Sequence, residues 1–245
     1  MKTSKTPILL TILLILSAVL LGIIIKRSMP VKYEIYGGMT TDLKNSELYE
    51  DMQSGKTFCF LGDSITAGTE VNGIPWYQPL IPYIHGRIMN ISCGGWTTSD
   101  LIDYGDNIPS ADIYVIAIGI NDALFLDNGK GAGSPENYIS NLEELASIIR
   151  TVSPESKMYF ITPWPFVNFP EHINEYRIEF SDALCAWCNG TDRIAIDPYP
   201  AIMEVLDSEG TSKYMLNDFH PNTPDGIGLF SYAVLQQEHL RRTGN

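Results

Sequence analysis

The chain has 245 residues, of which 44% are hydrophobic, and a formal net charge of −13. The first thirty residues hold four basic residues and no acidic one, so the rest of the chain carries a net charge of −17. Such a charge repels the phosphates of nucleic acids, which excludes nucleic acid as the expected partner. The length is sufficient for one domain with a well-buried core.

The N-terminal region contains a long apolar segment. Residues 1–6 form a short charged tail, and Pro7–Ile25 is uncharged and almost wholly aliphatic. About twenty such residues match the hydrocarbon core of a bilayer and exceed the apolar part of a cleaved signal peptide. Lys26 and Arg27 follow directly, without a small-residue cleavage pattern. We therefore predict an uncleaved, single-pass signal anchor. The charges on its two sides are nearly balanced and barely decide its orientation, so we place the following domain on the extracytoplasmic side, which is the usual arrangement of such anchors.

The region after the anchor is divided into a linker and a domain. Residues 26–55 are polar and of mixed charge, and we interpret them as a stalk with one short helix near Asp42–Met52. From residue 56 to residue 245, apolar runs typical of buried strands alternate with helix-like segments. The predicted strands are Thr57–Leu61, Arg87–Ser92, Ile113–Ile118, Lys157–Thr162 and Arg193–Ile196.

The clearest helix of this domain begins at Ser134 and Pro135, an N-cap residue followed by proline at the first helical position. Its apolar residues recur at helical spacing up to Ser153. A last helix is predicted over Gly228–Arg242. Strands separated by helices predict a parallel sheet with helices on both faces, so we expect residues 56–245 to form one α/β domain.

A serine follows the first predicted strand in the segment Gly62-Asp63-Ser64-Ile65-Thr66. An α/β enzyme places a nucleophile on such a sharp strand-to-helix turn, because the turn lifts the hydroxyl above the sheet edge. On turn chemistry alone, an ordinary capped turn explains the segment equally well. Ser64 is therefore a candidate nucleophile whose role depends on partners elsewhere in the chain.

Three later segments supply the groups that a nucleophilic serine needs. Ile91–Thr98 places small residues and hydroxyls after the second strand, Gly119–Asp122 ends the third strand, and Asn217–Asn222 contains a histidine. Together with Gly62–Thr66, and in this order, they resemble the sequence blocks of the SGNH, or GDSL, hydrolase family. The resemblance covers about Lys56–Leu240 and implies a serine esterase or acylhydrolase that forms an acyl-serine intermediate without a metal or cofactor.

His220 is the best candidate for the general base that a serine nucleophile requires. The family places an aspartate three residues before this histidine, where the chain has Asn217, whereas Asp218 is two residues before it. The segment after His220 is one residue longer than the family pattern, so a one-residue shift would let Asp218 replace the usual aspartate. We favour Asp218 as the catalytic acid. The alternatives are Asn217, which would orient the imidazole without charge, and Asp197 after the fifth strand.

The resemblance also implies an oxyanion hole formed by the backbone N–H groups of Ser64 and Gly95 and the side-chain amide of Asn121. Gly95 rather than Gly94 fits the family pattern because two threonines follow it at the family's distance. Aromatic residues on the predicted active-site loops are candidate substrate contacts, since their rings can stack on sugar or acyl groups, although they can equally anchor the loops. These residues are Trp96, Trp164 and Phe166.

Cys185 and Cys188 form a C-x-x-C pair in a helical stretch. In an exported domain such a pair can form a local disulfide. A zinc site needs more ligands than the neighbouring sequence offers, so no metal site is predicted.

Together these observations predict a membrane-anchored serine esterase with a flavodoxin-like three-layer α/β/α sandwich. Its expected substrates are small acyl esters, including O-acetyl groups on extracytoplasmic carbohydrate. A first alternative is an O-acetyltransferase that uses the same site and passes the acyl group to a sugar hydroxyl. A second alternative is a non-catalytic carbohydrate-binding protein. The presence of Asn217 where the family has an aspartate is compatible with this alternative.

Overall fold

The computed structural model describes residues 15–17, 31–126 and 129–244. Tyr33–Asn245 forms one compact unit. Residues 15–17 are helical, and the rest of the predicted anchor Pro7–Ile25 lies outside the described residues. Within the described ranges, no helix has the length and apolar character needed to cross a bilayer.

The centre of the domain is a parallel sheet of five strands in the order β2-β1-β3-β4-β5. All five predicted strands are confirmed, each to within one residue at either end. The order is that of flavodoxin-like sheets, in which functional sites lie at the carboxyl ends of the strands. The strands are β1 (Phe58–Gly62), β2 (Ile88–Ser92), β3 (Ile113–Ala117), β4 (Lys157–Ile161) and β5 (Ile194–Ile196).

Helices connect the strands and follow the last one. The long helix predicted from the Ser134-Pro135 signal is confirmed as Pro135–Val152, and the Ser134 hydroxyl accepts a hydrogen bond from the Asn137 N–H at 3.2 Å. The last helix begins three residues earlier than predicted, at Asp225. The helices are α1 (Thr41–Lys44), α2 (Glu47–Gln53), α3 (Ser64–Ala67), α4 (Thr98–Asp103), α5 (Ile120–Leu124), α6 (Pro135–Val152), α7 (Glu171–Cys188), α8 (Tyr199–Glu209) and α9 (Asp225–Thr243).

Alternate side chains of the strands enter two separate hydrophobic cores, one on each face of the sheet. Phe58 and Phe60 of β1 pack in the core formed with α1, α2, α8 and α9. Cys59 and Leu61 pack in the core formed with α4, α6 and α7. Because both faces are covered, every strand of the sheet centre is apolar on both sides, which explains the continuous apolar runs in the sequence.

The interpretation of residues 26–55 as a stalk needs correction, because residues 33–55 belong to the folded domain. Leu43, Leu48 and Met52 are at most 2% exposed and form part of a core. The Glu47 N–H also donates to the buried carboxylate of Glu238 in α9 at 2.5 Å. The polar composition of the segment hid these apolar residues, of which Leu48 and Met52 lie four residues apart in α2.

Candidate active site

Ser64 lies at the start of α3, directly after the carboxyl end of β1. Asp63 caps this short helix, and its Oδ1 accepts a hydrogen bond from the Ile65 N–H at 2.9 Å. The residue before the cap must be glycine, because a Cβ at Gly62 would lie 2.4 Å from the Thr66 hydroxyl and 2.5 Å from the Ala117 carbonyl oxygen. The tight turn therefore places Ser64 at the sheet edge.

The structure brings Ser64 and His220 together across 156 positions of sequence. The Ser64 Oγ lies 2.8 Å from the His220 Nε2, and the two residues are 7% and 6% exposed. A neutral imidazole with its proton on Nδ1 accepts the serine hydroxyl proton at Nε2 in this geometry. This is the distance and orientation that a nucleophilic serine and a general base require.

The second ring nitrogen of His220 faces Asn217 and not Asp218. The Asn217 side-chain amide faces the His220 Nδ1, with its Oδ1 at 3.2 Å and its Nδ2 at 3.1 Å. The same oxygen accepts hydrogen bonds from the N–H groups of Phe219 at 3.1 Å and His220 at 2.8 Å. These two donors identify it as the acceptor end of the amide, and it accepts the Nδ1 proton in the tautomer whose Nε2 is free to take the Ser64 proton.

The expectation that Asp218 is the partner of His220 is therefore corrected. The Asp218 carboxylate accepts a hydrogen bond from the Asn168 side-chain amide at 3.0 Å. The postulated one-residue shift does not occur, because the Asn217 side chain folds back onto the backbone two and three residues ahead. The third candidate, Asp197, accepts hydrogen bonds from the Thr162 hydroxyl and the Tyr199 N–H.

Burial lowers the pKa of His220, and the carboxylate of Glu70 opposes part of this effect. The imidazole consequently stays neutral, and able to accept a proton, at a lower pH than an exposed histidine does. The aromatic ring of Phe219 packs 4.4 Å from the imidazole, between centroids, and limits its rotation. Neither Glu70 nor Phe219 is predicted from the sequence to act on His220. Phe219 is adjacent to His220 in the sequence, whereas no sequence signal marks Glu70.

The three groups predicted for the oxyanion hole follow three adjacent strands. Ser64 follows β1, Gly95 follows β2 and Asn121 follows β3. Gly95 has a φ of +80°, a conformation that favours glycine. One amide hydrogen of Asn121 donates to the Trp96 carbonyl oxygen at 2.8 Å, which ties the Gly95 loop to α5 and leaves the second hydrogen for another acceptor.

The buried carboxylate of Asp122 fixes the end of the Gly95 loop. Asp122 accepts hydrogen bonds from the Thr98 N–H at 3.0 Å and the Thr98 hydroxyl at 2.7 Å. Burial raises the pKa of Asp122 to about 6. Burial, with a contribution from the nearby Asp122, likewise raises the pKa of Asp63 to about 7, and the Oδ2 of Asp63 has no hydrogen-bond partner. These two aspartates support the loops beneath the site and do not face its opening.

Two of the three aromatic residues proposed as substrate contacts are core residues. Trp164 is 1% exposed, with its ring stacked 4.8 Å from that of Phe230, and Phe166 is 5% exposed. We correct their assignment, because the proline-rich loop after β4 packs onto the α9 side of the sheet and buries both rings. Trp96 is half-buried beside Tyr104, so its contact with substrate stays a prediction.

A small pocket adjoins the Ser64–His220 pair, with a cavity volume of about 10 Å³. Such a pocket is smaller than a typical site for a drug-sized ligand, which occupies about 300–1,000 Å³. Its walls are mostly apolar, with one acidic side chain. They are formed by Ser64, Ile65, Gly68, Glu70, Val71, Ile74, His220, Pro221 and Ile227.

The four cysteines are free thiols, and Cys185 and Cys188 are not joined in a disulfide. Cys185 is exposed at the end of α7, whereas Cys188 is buried. Within the described ranges, no group of histidine, cysteine, aspartate and glutamate side chains has the arrangement of a metal site.

Several solved structures have the same fold at low sequence identity. Axe2, an acetylxylan esterase from Geobacillus stearothermophilus, is 19% identical with a TM-score of 0.65, covering 77% of this chain and 96% of that chain. A protein from Parabacteroides merdae described as a GDSL-like lipase is 17% identical with a TM-score of 0.64, covering 79% and 97%. LAE5, an α/β hydrolase from the metagenome of Lake Arreo, is 22% identical with a TM-score of 0.60, covering 75% and 95%.

Variants of Axe2 at a serine, an aspartate and a histidine are described as catalytic mutants, and that aspartate precedes that histidine by three positions. No curated protein matches this chain. The sequence model of the GDSL-like lipase/acylhydrolase family, in contrast, matches residues 60–224, which is more than half of the chain. This match confirms the resemblance and the predicted class of carboxylic ester hydrolase. The chain belongs to the GDSL-like lipase/acylhydrolase family.

Proposed function

We propose that the protein hydrolyses short acyl esters with Ser64 as nucleophile, His220 as general base and Asn217 as the group that orients His220. The observation that carries this proposal is the 2.8 Å contact between the Ser64 Oγ and the His220 Nε2 at the carboxyl edge of the sheet. A hydroxyl is too weakly acidic to attack an ester unaided, and a neutral imidazole at this distance removes its proton as the new bond forms.

In the first half of the reaction, the Ser64 Oγ bonds to the acyl carbon while its proton moves to the His220 Nε2. The carbonyl oxygen becomes an oxyanion, for which the N–H groups of Ser64 and Gly95 and the free amide hydrogen of Asn121 are the proposed donors. The imidazolium then gives its proton to the leaving alcohol. In the second half, water attacks the acyl-serine with His220 again as base, which releases the carboxylic acid and restores Ser64.

The small pocket supports a short acyl group. Val71, Ile74 and Ile227 line it with aliphatic side chains, and its small volume favours a small acyl group over a long chain. Acetyl is the acyl group that we propose. An O-acetylated carbohydrate is the proposed alcohol part, with Trp96 as a stacking surface, and the fold shared with an acetylxylan esterase supports this choice.

The proposed location is the extracytoplasmic face of a membrane, with Pro7–Ile25 as a single-pass anchor. The length and uniform apolar character of this segment support the proposal. Protease added to intact spheroplasts should digest the domain, and the domain should be protected in sealed inverted vesicles. The reverse pattern would place the domain in the cytoplasm.

The function is tested by turnover of p-nitrophenyl acetate, p-nitrophenyl decanoate and acetylated xylan, each with wild type and Ser64→Ala. We expect wild type to prefer the acetate to the decanoate and to release acetate from xylan, and Ser64→Ala to lose all three activities while remaining folded. Turnover that survives in Ser64→Ala contradicts the mechanism. Binding of xylan fragments without turnover of any ester would favour the non-catalytic alternative. The neutral side chain of Asn217, in place of the family's aspartate, is compatible with that alternative.

A further inference from the structure

His220 has no charged partner at its second ring nitrogen. That position holds the neutral amide of Asn217, and the carboxylate of Asp218 is bound to Asn168 instead. When His220 takes the proton from Ser64, it becomes a cation in a mostly buried position. Such a cation is costly in free energy unless a negative group faces it, so an acidic side chain that lines the same pocket can stabilise it.

Glu70 is the acidic residue that lines the pocket together with Ser64 and His220. It lies in the turn Thr69–Val71, which follows the helix of Ser64 directly. Gly68 fixes this turn with a φ of +67°, and a Cβ at Gly68 would lie 2.3 Å from the Ile74 carbonyl oxygen. The N–H groups of Val71 and Gly73 donate to the Gly68 carbonyl oxygen at 3.0 and 2.8 Å. The backbone that carries Glu70 is therefore tied to the nucleophile helix.

We propose that Glu70 is a positioning residue whose carboxylate stabilises the imidazolium of His220 from the pocket side. This inference rests on the proposed esterase function. In the attack step, the proton moves from the Ser64 Oγ to the His220 Nε2 and the Oγ–carbon bond forms as the carbonyl π bond opens. Glu70 neither gains nor loses a proton, and its negative charge lowers the energy of the imidazolium formed in this step.

Among the described residues, the groups in hydrogen-bond or ring contact with the His220 imidazole are uncharged. They are the Ser64 hydroxyl, the Asn217 amide and the Phe219 ring. In the part of the chain that the structure describes, Glu70 is the charged group that acts on the pKa of His220, and it raises this pKa against the larger lowering by burial. The exposed position of Glu70 makes the interaction sensitive to salt.

The test compares Glu70→Gln, Glu70→Asp and Glu155→Gln in the full chain. Glu155 is an exposed acid in the turn before β4, at the opposite edge of the sheet, so its substitution changes the net charge equally. The measurement is kcat/KM for p-nitrophenyl acetate from pH 5 to 9, in low salt and in 1 M NaCl. Unchanged melting temperatures establish that the variants are folded.

We expect Glu70→Gln to lower the plateau of kcat/KM about two- to fivefold and to move its acid limb to lower pH. Glu70→Asp should recover part of the loss, and Glu155→Gln should behave as wild type. The effect should shrink in 1 M NaCl, where charges are screened over about 3 Å. An unchanged pH profile in Glu70→Gln, or an equal effect of Glu155→Gln, overturns the proposal.

A second measurement does not depend on turnover. The imidazole of His220 is titrated by NMR in wild type and in both Gln variants, with its signals assigned by comparison with His220→Gln. We expect a lower midpoint in Glu70→Gln and no change in Glu155→Gln, and equal midpoints refute the coupling. Absence of esterase activity in wild type would refute the proposed function alone, because the titration still decides whether Glu70 acts on His220.

Discussion

At the scale of single residues, the site differs from a Ser-His-Asp triad in the charge at position 217. The Asn217 Oδ1 is fixed as an acceptor by two backbone N–H groups and lies 3.2 Å from the His220 Nδ1. It can hold the imidazole in the tautomer that accepts the serine proton. It adds no negative charge to stabilise the imidazolium, which is the second role of the aspartate in a triad.

Asn217→Asp should therefore raise kcat about tenfold or more on an activated acetate ester. It should also move the acid limb of kcat/KM to higher pH, because a carboxylate at Nδ1 raises the pKa of the imidazole. The matched control is Asp218→Asn, expected to stay within about twofold of wild type, since Asp218 is bound to Asn168. A large loss in Asp218→Asn without a gain in Asn217→Asp would reinstate Asp218 as the acid.

The amide of Asn121 is a second residue with a measurable role. Asn121→Ala should lower kcat about a hundredfold and leave KM nearly unchanged, because an oxyanion donor acts mainly in the transition state. Steady-state kinetics on p-nitrophenyl acetate measures both constants. If KM rises while kcat stays constant, Asn121 is a contact of the bound substrate and not an oxyanion donor.

At the scale of elements, the strands and long helices were predictable because each follows from local composition. The central strands β1 and β3 are buried on both faces and appear as continuous apolar runs, and the N-terminus of α6 is marked by Ser134-Pro135. The loop before His220 was not predictable, since hydrogen bonds between the Asn217 side chain and the backbone decide which residue meets the imidazole. Trp164 was wrongly assigned as a substrate contact. The sequence shows that this aromatic residue follows a strand, but it does not show that the loop after the strand folds back and buries the ring.

The inclusion of residues 33–55 in the domain gives a stability prediction. Leu43 of α1 is fully buried, so Leu43→Ala should lower the free energy of unfolding by about 2–5 kcal/mol. Leu216→Ala is the control, because Leu216 is 50% exposed and its truncation should cost less than about 0.5 kcal/mol. Urea unfolding followed by circular dichroism measures both. Equal, small losses would restore the interpretation of this segment as a stalk.

At the scale of the whole molecule, the carboxylates at the two edges of the sheet respond to pH in opposite ways. At the amino edge, burial alone would raise the pKa of Asp51, but hydrogen bonds from Lys157 and Tyr159 lower it overall. At the carboxyl edge, beneath Ser64, burial raises the pKa of Asp63 to about 7 and that of Asp122 to about 6. The aspartates beneath the proposed site therefore contribute less to the stability of the folded protein as the pH rises.

The sign follows from the folded and unfolded pKa values. Asp63 is protonated more readily in the folded state, so its contribution is complete below the unfolded value of about 4 and is lost as the pH rises through about 7. Asp51 has the opposite shift, so its contribution is lost only as the pH falls through its lowered folded value. Of these two carboxylates, therefore, only Asp63 changes its contribution between pH 5 and pH 8.

Asp63→Asn and Asp51→Asn make a matched pair for this difference. We expect the effect of Asp63→Asn on the free energy of unfolding to be more favourable at pH 8 than at pH 5 by more than about 1 kcal/mol, because the amide removes a buried carboxylate that ionises in this range. The effect of Asp51→Asn should be destabilising and equal at the two pH values, since Asp51 is ionised in both states throughout. Urea unfolding at each pH measures the four differences. A pH-independent effect of Asp63→Asn would mean that its carboxyl group is ionised at pH 5 in the folded protein, and that the unpartnered Oδ2 has a donor that lowers its pKa.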